Sequence, residues 1–296
     1  DMAKAAIARD VGARLSLPVE AAAFGICEVV DENMANAARV HAVENGKNIA
    51  DNMMIAFGGA APLHAARLCE KLGIDRCLVP PGAGVGSAIG FLRAPFGYEA
   101  LMSKVTRLST FDVASVNTML ADLTATAEGF VRAASAGVVH REITAFMRYV
   151  GQGWEIPVPL SDRPFTADDI PALRAAFREN YARFFGRAID GLDGLEIEVV
   201  TWSVKAQDER PAPPRQTLTT GHTALAPSQT RPVFDPTAGR ALPSAIHDRS
   251  ALLPGTRIIG PAVIVERETS TVVTAPFDAV MQDDGSLLLL RKEPLA

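Results

Sequence analysis

The sequence predicts an α/β layer over residues 1–95, followed by an α+β domain over residues 96–296 that ends in a β-rich segment. Three observations carry that prediction. Residues 1–95 alternate helical and strand-like patterns, and after Pro95 longer helical segments alternate with paired strand-like runs. From Arg257 to Leu290, short runs rich in Val, Ile and Leu follow one another with turn residues between them. At 296 residues, 48% of them hydrophobic, the chain is long enough for two domains with a core each.

Taken in order, the segment from Pro18 to about Asn45 carries Ile26, Val30, Met34, Ala37 and Val40 at three- and four-residue steps, with Glu20 near its start and Asn45-Gly46 at its end. That spacing predicts a long amphipathic helix. Met53 to Phe57 and Cys77 to Val79 are short apolar runs bounded by turn residues, as buried strands are, and Leu63 to Leu72 between them is a helix closed by Gly73. A crossover of this length favours a parallel, right-handed pair. Beyond Pro95 the patterns predict a helix near Val113 to Ala136 and a β pair, Ile143 to Tyr149 and Trp154 to Pro159. A second helix follows, with Thr166 as N-cap and Asp168 and Asp169 in its first turn, running to about Phe185 and stopping at Gly186. Glu196 to Lys205 alternates as a strand, with Glu198, Val200, Trp202 and Val204 the more apolar set. Residues 208–232, rich in Pro, Thr, Arg and Gln, predict a linker. The remaining runs, Ala262 to Val265, Thr271 to Val273, Ala279 to Met281 and Leu287 to Leu290, predict strands of a small barrel or sandwich.

The net charge of −5 and the absence of a Lys/Arg cluster interleaved with aromatics argue against nucleic acid as a partner and offer little to a membrane surface. No run approaches 18 apolar residues, and Asp1-Met2-Ala3-Lys4 lacks the pattern of a signal peptide, so the expected compartment is the cytoplasm. Cys27, Cys69 and Cys77 form no CxxC and read as buried reduced thiols. The histidines His41, His64, His140, His222 and His247 show no HxH or HxxxH spacing, which leaves only a metal site assembled from distant segments.

The most informative stretch runs from Met53 to Ala65. An apolar run ends in Gly58-Gly59, and Pro62 then opens a helix at the first helical position, where its missing N–H costs nothing. Without Cβ atoms the two glycines let the backbone turn sharply and approach a ligand, beside the free N–H groups and positive dipole end of the helix. The same junction also serves as a tight strand-to-helix connection. His64, in the first helical turn, either reaches an anion held there or hydrogen-bonds a neighbouring loop. A second stretch, Pro80 to Gly90, contains GxGxxxG from Gly84, but Pro80 and Pro81 separate it from the preceding strand, unlike a dinucleotide fingerprint. Close packing, or lining the cleft of Gly58-Gly59, are its other readings. There is no GxxxxGK[ST] and no GxSxG. Glu266 and Glu268, at i and i+2, face one way as either an acid/base pair or solvated strand-edge carboxylates.

Four ordered segments resemble the hydantoinase A / 5-oxoprolinase family. Ala56 to Ala65 looks like its AFGGAGPLHA motif, Ala83 to Gly90 like AGV-x-SA-x-G, Arg148 to Gly153 like RYxGQ, and Gly260 to Ile264 like GPAII. The resemblance implies an ATP-dependent enzyme whose nucleotide lobes are similar to actin-like ATPases, so that residues 1–95 would be the C-terminal portion of such a lobe. It implies opening of cyclic amides such as hydantoins or 5-oxoproline, or service as a subunit of an acetone- or acetophenone-type carboxylase. In either case ATP and Mg²⁺ would activate a carbonyl or enolate by phosphorylation. By the same analogy Gly58, Gly59, Ala60, Ala61 and Pro62 would hold part of the nucleotide, and His64 would border the cleft as a catalytic residue. Ala61 departs from the glycine usual there. The family's N-terminal half, with its acidic-Gly-Gly-Thr motif, does not occur in this sequence, so the expected partners are that half and a hydantoinase B-like subunit, with a small cyclic amide or ketone as substrate. The isolated chain is then expected to show no ATPase activity. A non-catalytic assembly module is a second reading. A dinucleotide oxidoreductase is a third, for which Glu99 lies too close to Gly90 to serve as the ribose-binding acid.

Overall fold

A computed structural model of the chain describes residues 1–185, 194–209, 217–221, 223–227, 229–235 and 237–292. They form two compact units, one of Asp1–Arg93 with Arg215–Ala296 and one of Ala94–Pro214.

The first segment begins with two short helical pieces, α1 (Met2–Ile7) and α2 (Ala13–Leu15), and then α3 (Val19–Glu44), which starts after Pro18 and ends at Asn45. Strand β1 (Met54–Ile55) is followed by helix α4 (Ala61–Leu72) and strand β2 (Arg76–Val79), and β1 and β2 pair in parallel with Met54 opposite Cys77. The order and the parallel pairing are those that the sequence predicts, but β1 is short and not the buried strand expected over Met53 to Phe57: Ile55 and Phe57 are exposed. Helix α4 buries Pro62, Ala65, Ala66, Cys69 and Leu72 at helical spacing and stops where Gly73 adopts φ 69°. Helix α5 (Gly86–Arg93) closes the segment.

Helix α3 forms as expected but turns over. Its predicted apolar stripe lies on the surface, with Val30 43% and Val40 56% exposed, while Ala22, Asp31 and Ala35 are its buried residues. The inner face meets α4 through small side chains and ion pairs. Cys27 shares the outer face and is exposed, against the expectation of a buried thiol, whereas Cys69 and Cys77 are buried free thiols.

The second unit is a four-stranded antiparallel sheet with two helices. Its elements are β3 (Gly97–Arg107), α6 (Val113–Arg132), β4 (Val139–Tyr149), β5 (Ile156–Leu160), α7 (Asp169–Phe185) and β6 (Ile197–Asp208), with sheet order β3-β6-β4-β5. Trp202, Phe177, Met147, Ile156 and Ile197 are fully buried in its core. Strand β3 has no counterpart in the sequence reading because only Ala100 and Thr106 on it are buried, too few to write an alternating pattern. The predicted apolar set of β6 holds over part of the strand. Ile197 and Val199 point into the core, and then a bulge sets Phe146 opposite Thr201 but Met147 opposite Val199, after which Trp202, Val204 and Ala206 take over the inner face. The entrance to α7 is also reversed from the prediction. The backbone N–H and hydroxyl of Thr166 both donate to Asp169, whose carboxylate pairs with Arg163 as well. The expected stop at Gly186 lies outside the described residues.

The expected linker over 208–232 lies outside the described residues at 210–216, 222 and 228, but β7 (Thr223–Ala224) and β8 (Gln229–Asp235) fall within or across the rest of it. They are followed by β9 (Arg240–Asp248), β10 (Thr256–Ile259), β11 (Ala262–Val265), β12 (Ser270–Val273), β13 (Phe277–Met281) and β14 (Leu287–Arg291). These strands do not close on themselves as a barrel or a separate sandwich. The antiparallel pairing of β14 with β2, Leu287 opposite Val79, joins them to the first segment in a six-stranded sheet of order β1-β2-β14-β13-β10-β7. Strands β12-β11-β9-β8 form a second sheet. The physical reason is burial: Cys77 and Val79 on β2 and Phe277, Ala279, Leu287 and Leu289 on β13 and β14 share one apolar core. Packing thus divides the single domain expected over 96–296 between the two units.

Candidate functional site

The Gly58-Gly59 turn is held from two sides. After β1, the Ala56 N–H donates to the Leu78 carbonyl at 2.9 Å, and the Gly58 N–H donates to the Ala83 carbonyl at 2.7 Å. Gly58 has φ +119°, a conformation that side chains with a Cβ rarely adopt. The hydroxyl of Thr269, between β11 and β12, donates to the Gly59 carbonyl at 2.7 Å. Ala60 is the N-cap of α4 and supplies no side-chain acceptor; Pro62 has no N–H and the Leu63 N–H donates to the Ala60 carbonyl at 3.0 Å, so the uncapped donor of the first turn is the N–H of Ala61. Helix α4 starts at Ala61, which sets Pro62 at its second position rather than its first. Gly59 and Ala60 are exposed, Ala61 is half-buried and Pro62 is buried, and a Cβ on Gly59 would meet nothing within 4 Å. The turn is therefore a rigid, open edge carrying N–H donors.

The second glycine stretch is packed closed at Gly84 and Gly86, while Gly82, Ser87 and Gly90 line a cleft. A Cβ on Gly84 would stand 2.6 Å from the Glu268 Cβ, and one on Gly86 would stand 3.2 Å from the Phe57 Cβ. Protein fills both positions, which leaves no room for phosphate, and the two contacts brace the Phe57-Gly58-Gly59 turn. Beside it lies a cleft of about 880 Å³, lined among others by Phe57, Pro80, Gly82, Ile89 and Arg93.

His64 sits one turn into α4, and its Nδ1 lies 2.7 Å from Oδ1 of Asp31 on α3. The histidine side chain is 24% exposed and the aspartate side chain 6%. Burial pushes the Asp31 carboxyl above its ordinary range, against the pull of His64. A ladder of ion pairs continues along the same interface. Arg67 binds Glu28 through two nitrogens at 2.7 and 2.9 Å, and Lys71 bridges Glu28 and Glu32 at 2.9 Å each. The Arg67 guanidinium holds the Glu28 carboxyl down at about 2 against partial burial, with Lys71 adding to the pull. Because the shift is downward, Glu28 contributes stability above its ordinary pKa of 4.5 and loses it as pH falls toward 2.

Glu266 and Glu268 do not form a carboxylate pair. Glu266 is neutralised by the buried Arg249 at 2.7 Å, whose other nitrogen donates to the carbonyls of Val79 and Gly285, while Glu268 covers Gly84. Among the described residues no group of three or more His, Cys, Asp and Glu side chains could hold a metal ion. His222 lies outside them, His140 is exposed beside Glu209, and His247 is buried, which lowers its pKa. No helix among them is long and apolar enough to cross a membrane.

Sequence reasoning missed Asp31 and Thr269. Both reach the turn from distant elements, and nothing in the spacing of either residue announces the contact. A carboxylate four residues before a buried alanine, Ala35, is the one local sign that α3 carries a charge on its inner face.

The hydantoinase/oxoprolinase family model matches residues 1–100, and that of the hydantoinase/oxoprolinase C-terminal domain matches residues 113–293. The chain is 28% identical to the caprolactamase subunit alpha of Pseudomonas jessenii, over 90% of this chain and 39% of that protein. It is 27% identical to the acetone carboxylase beta subunit of Xanthobacter autotrophicus, over 97% of this chain and 41% of that one. A nucleotide-free structure of acetone carboxylase, solved in a study of ATP-dependent acetone carboxylation, superposes with a TM-score of 0.76 and 25% identity, over 98% of this chain and 42% of the other. The chain thus spans about two fifths of the length of these two relatives.

Proposed function

The chain belongs to the hydantoinase/oxoprolinase family, and from that premise we propose that its unit Asp1–Arg93 with Arg215–Ala296 supplies one wall of the ATP site of an ATP-dependent cyclic-amide hydrolase. The observation that carries this reading is the Gly58–Pro62 turn, a braced and exposed edge that leads into an uncapped helix N-terminus. Gly58 and Gly59 let the nucleotide approach the backbone, the N–H groups of Gly59, Ala60 and Ala61 and the positive end of α4 face its negative charge, and the Ala61 methyl narrows the approach without closing it. When bound, ATP supplies a phosphoryl group that turns a poorly electrophilic amide carbonyl into one that water can open. The resemblance to caprolactamase subunit alpha supports hydrolysis of a cyclic amide. The resemblance to acetone carboxylase, in sequence and fold, favours a second reading, a subunit of an ATP-dependent ketone carboxylase. In either case the enzyme includes the family's N-terminal region and a hydantoinase B-like partner.

The decisive experiment measures Mg-ATP binding and turnover by the full-length protein with its partner, before and after Gly59→Asp. The new side chain enters open space, so folding and assembly are retained, while its carboxylate meets the phosphates. ATP affinity falls at least about tenfold on this reading, and unchanged affinity overturns it. Supplying hydantoin, 5-oxoproline or caprolactam in one series, and acetone or acetophenone with bicarbonate in another, identifies which substrate class drives ADP release.

A further inference from the structure

Asp31 is out of place for a purely structural residue. It sits in mid-helix, 4% exposed, and the other buried residues of α3 are the alanines Ala22 and Ala35. A carboxylate removed from water there costs free energy unless something offsets it, and its hydrogen bond goes to Nδ1 of His64. The neighbouring rungs of the α3–α4 interface use Arg67 and Lys71, cations at every physiological pH. His64 alone in that ladder has two chemically distinct ring nitrogens, one a donor and the other an acceptor in the neutral imidazole. An ionised carboxylate only accepts hydrogen bonds, so Asp31 selects the tautomer protonated at Nδ1. Nε2 then keeps its lone pair and makes no hydrogen bond among the described residues. His64 lies in the first turn of α4, two residues after Pro62, so its ring is carried by the same turn of chain that follows the Gly58–Pro62 edge.

We propose that Asp31 is a positioning residue that locks His64 with Nε2 as a fixed acceptor for an O–H group, of a ligand or of water, at the Gly58–Pro62 turn. This rests on the nucleotide-site reading for the identity of the ligand, but not for the tautomer. With a bound nucleotide the O–H donor is a ribose hydroxyl or the water that attacks the activated carbonyl. In the second case the water's O–H bond breaks and its proton passes to Nε2, as its oxygen bonds to the activated carbon and the π pair of that carbon's double bond moves to the heteroatom, giving a tetrahedral adduct. The imidazolium formed is stabilised by Asp31 through Nδ1–H.

Two measurements test it. The first is the ¹⁵N spectrum of the His64 ring in the protein. The proposal expects the Nδ1–H tautomer, with Asp31→Asn releasing a mixture, because the amide can donate as well as accept. A wild-type ring protonated at Nε2 alone overturns the proposal, and this reading stands even where Asp31→Asn fails to fold. The second compares Mg-ATP with its 2′- and 3′-deoxy analogues in the full-length enzyme. Both Asp31→Asn and His64→Gln lower turnover about 10²-fold with ATP affinity kept within about threefold if water is the donor. They abolish the discrimination between ATP and a deoxy analogue if a ribose hydroxyl is. Wild-type rates and discrimination in both variants overturn the proposal. If Mg-ATP binds to none of the proteins while the tautomer is as expected, the nucleotide reading falls and the Asp31–His64 lock survives.

Discussion

At Gly59 a methyl group would enter open space, whereas at Gly84 it would stand 2.6 Å from the Glu268 Cβ and 3.0 Å from the Glu268 carbonyl oxygen. Both residues lie in glycine-rich stretches that follow a short apolar strand, and by composition alone they look interchangeable. The difference between them is whether the protein itself occupies the room that the missing side chain leaves. Around Gly84 and Gly86 it does, and those glycines serve packing. Around Gly59 it does not, and the vacant room faces solvent beside uncapped N–H groups, which makes it the place where a ligand can come close.

Alanine substitutions break or sharpen this contrast in a graded series. Gly84→Ala has the largest effect, because the contact is with backbone and cannot be relieved by a rotamer change. Chemical denaturation is expected to show a loss of about 2–3 kcal/mol, and a loss below about 0.5 kcal/mol would mean that the 266–269 loop yields and the packing assignment is wrong. Gly58→Ala comes next. Its Cβ would meet only the Ala61 methyl, at 4.0 Å, but φ +119° is strained for alanine, and a cost of about 1–2 kcal/mol is expected. Gly59→Ala has the smallest effect on stability, within about 0.5 kcal/mol of wild type. A destabilisation there as large as that of Gly84→Ala would erase the distinction between the two stretches.

Much of the first segment is legible in sequence because its boundaries are written in local chemistry. Pro62 and Gly73 punctuate α4, and the apolar runs at Met54 and Cys77 mark the strands it joins. What is not legible depends on partners far along the chain. The pattern Ile26, Val30, Met34 correctly identifies a helix and its apolar face, but periodicity says nothing about which surface is covered, and the described residues cover the opposite face. The core face of β6 changes side at a bulge, which no repeat of period two can foretell. The Asp31–His64 contact joins two helices, and each residue taken alone is ordinary. The C-terminal strands carry a clear β signal but no mark that β2 is the neighbour of β14.

That last pairing bears on the order in which the protein is made. Residues 94–214 are contiguous and hold all four strands of their sheet, so this unit has its whole core in hand once its own segment has left the ribosome. The unit that carries the Gly58 turn closes only when Leu287–Arg291, near the end of the sequence, settles between β13 and β2. Its contacts are long in sequence separation and correspondingly slow to form. Until then Cys77 and Val79 lack a partner strand on one side, and the nascent chain carries an exposed apolar edge while residues 80–286, between β2 and β14, are made.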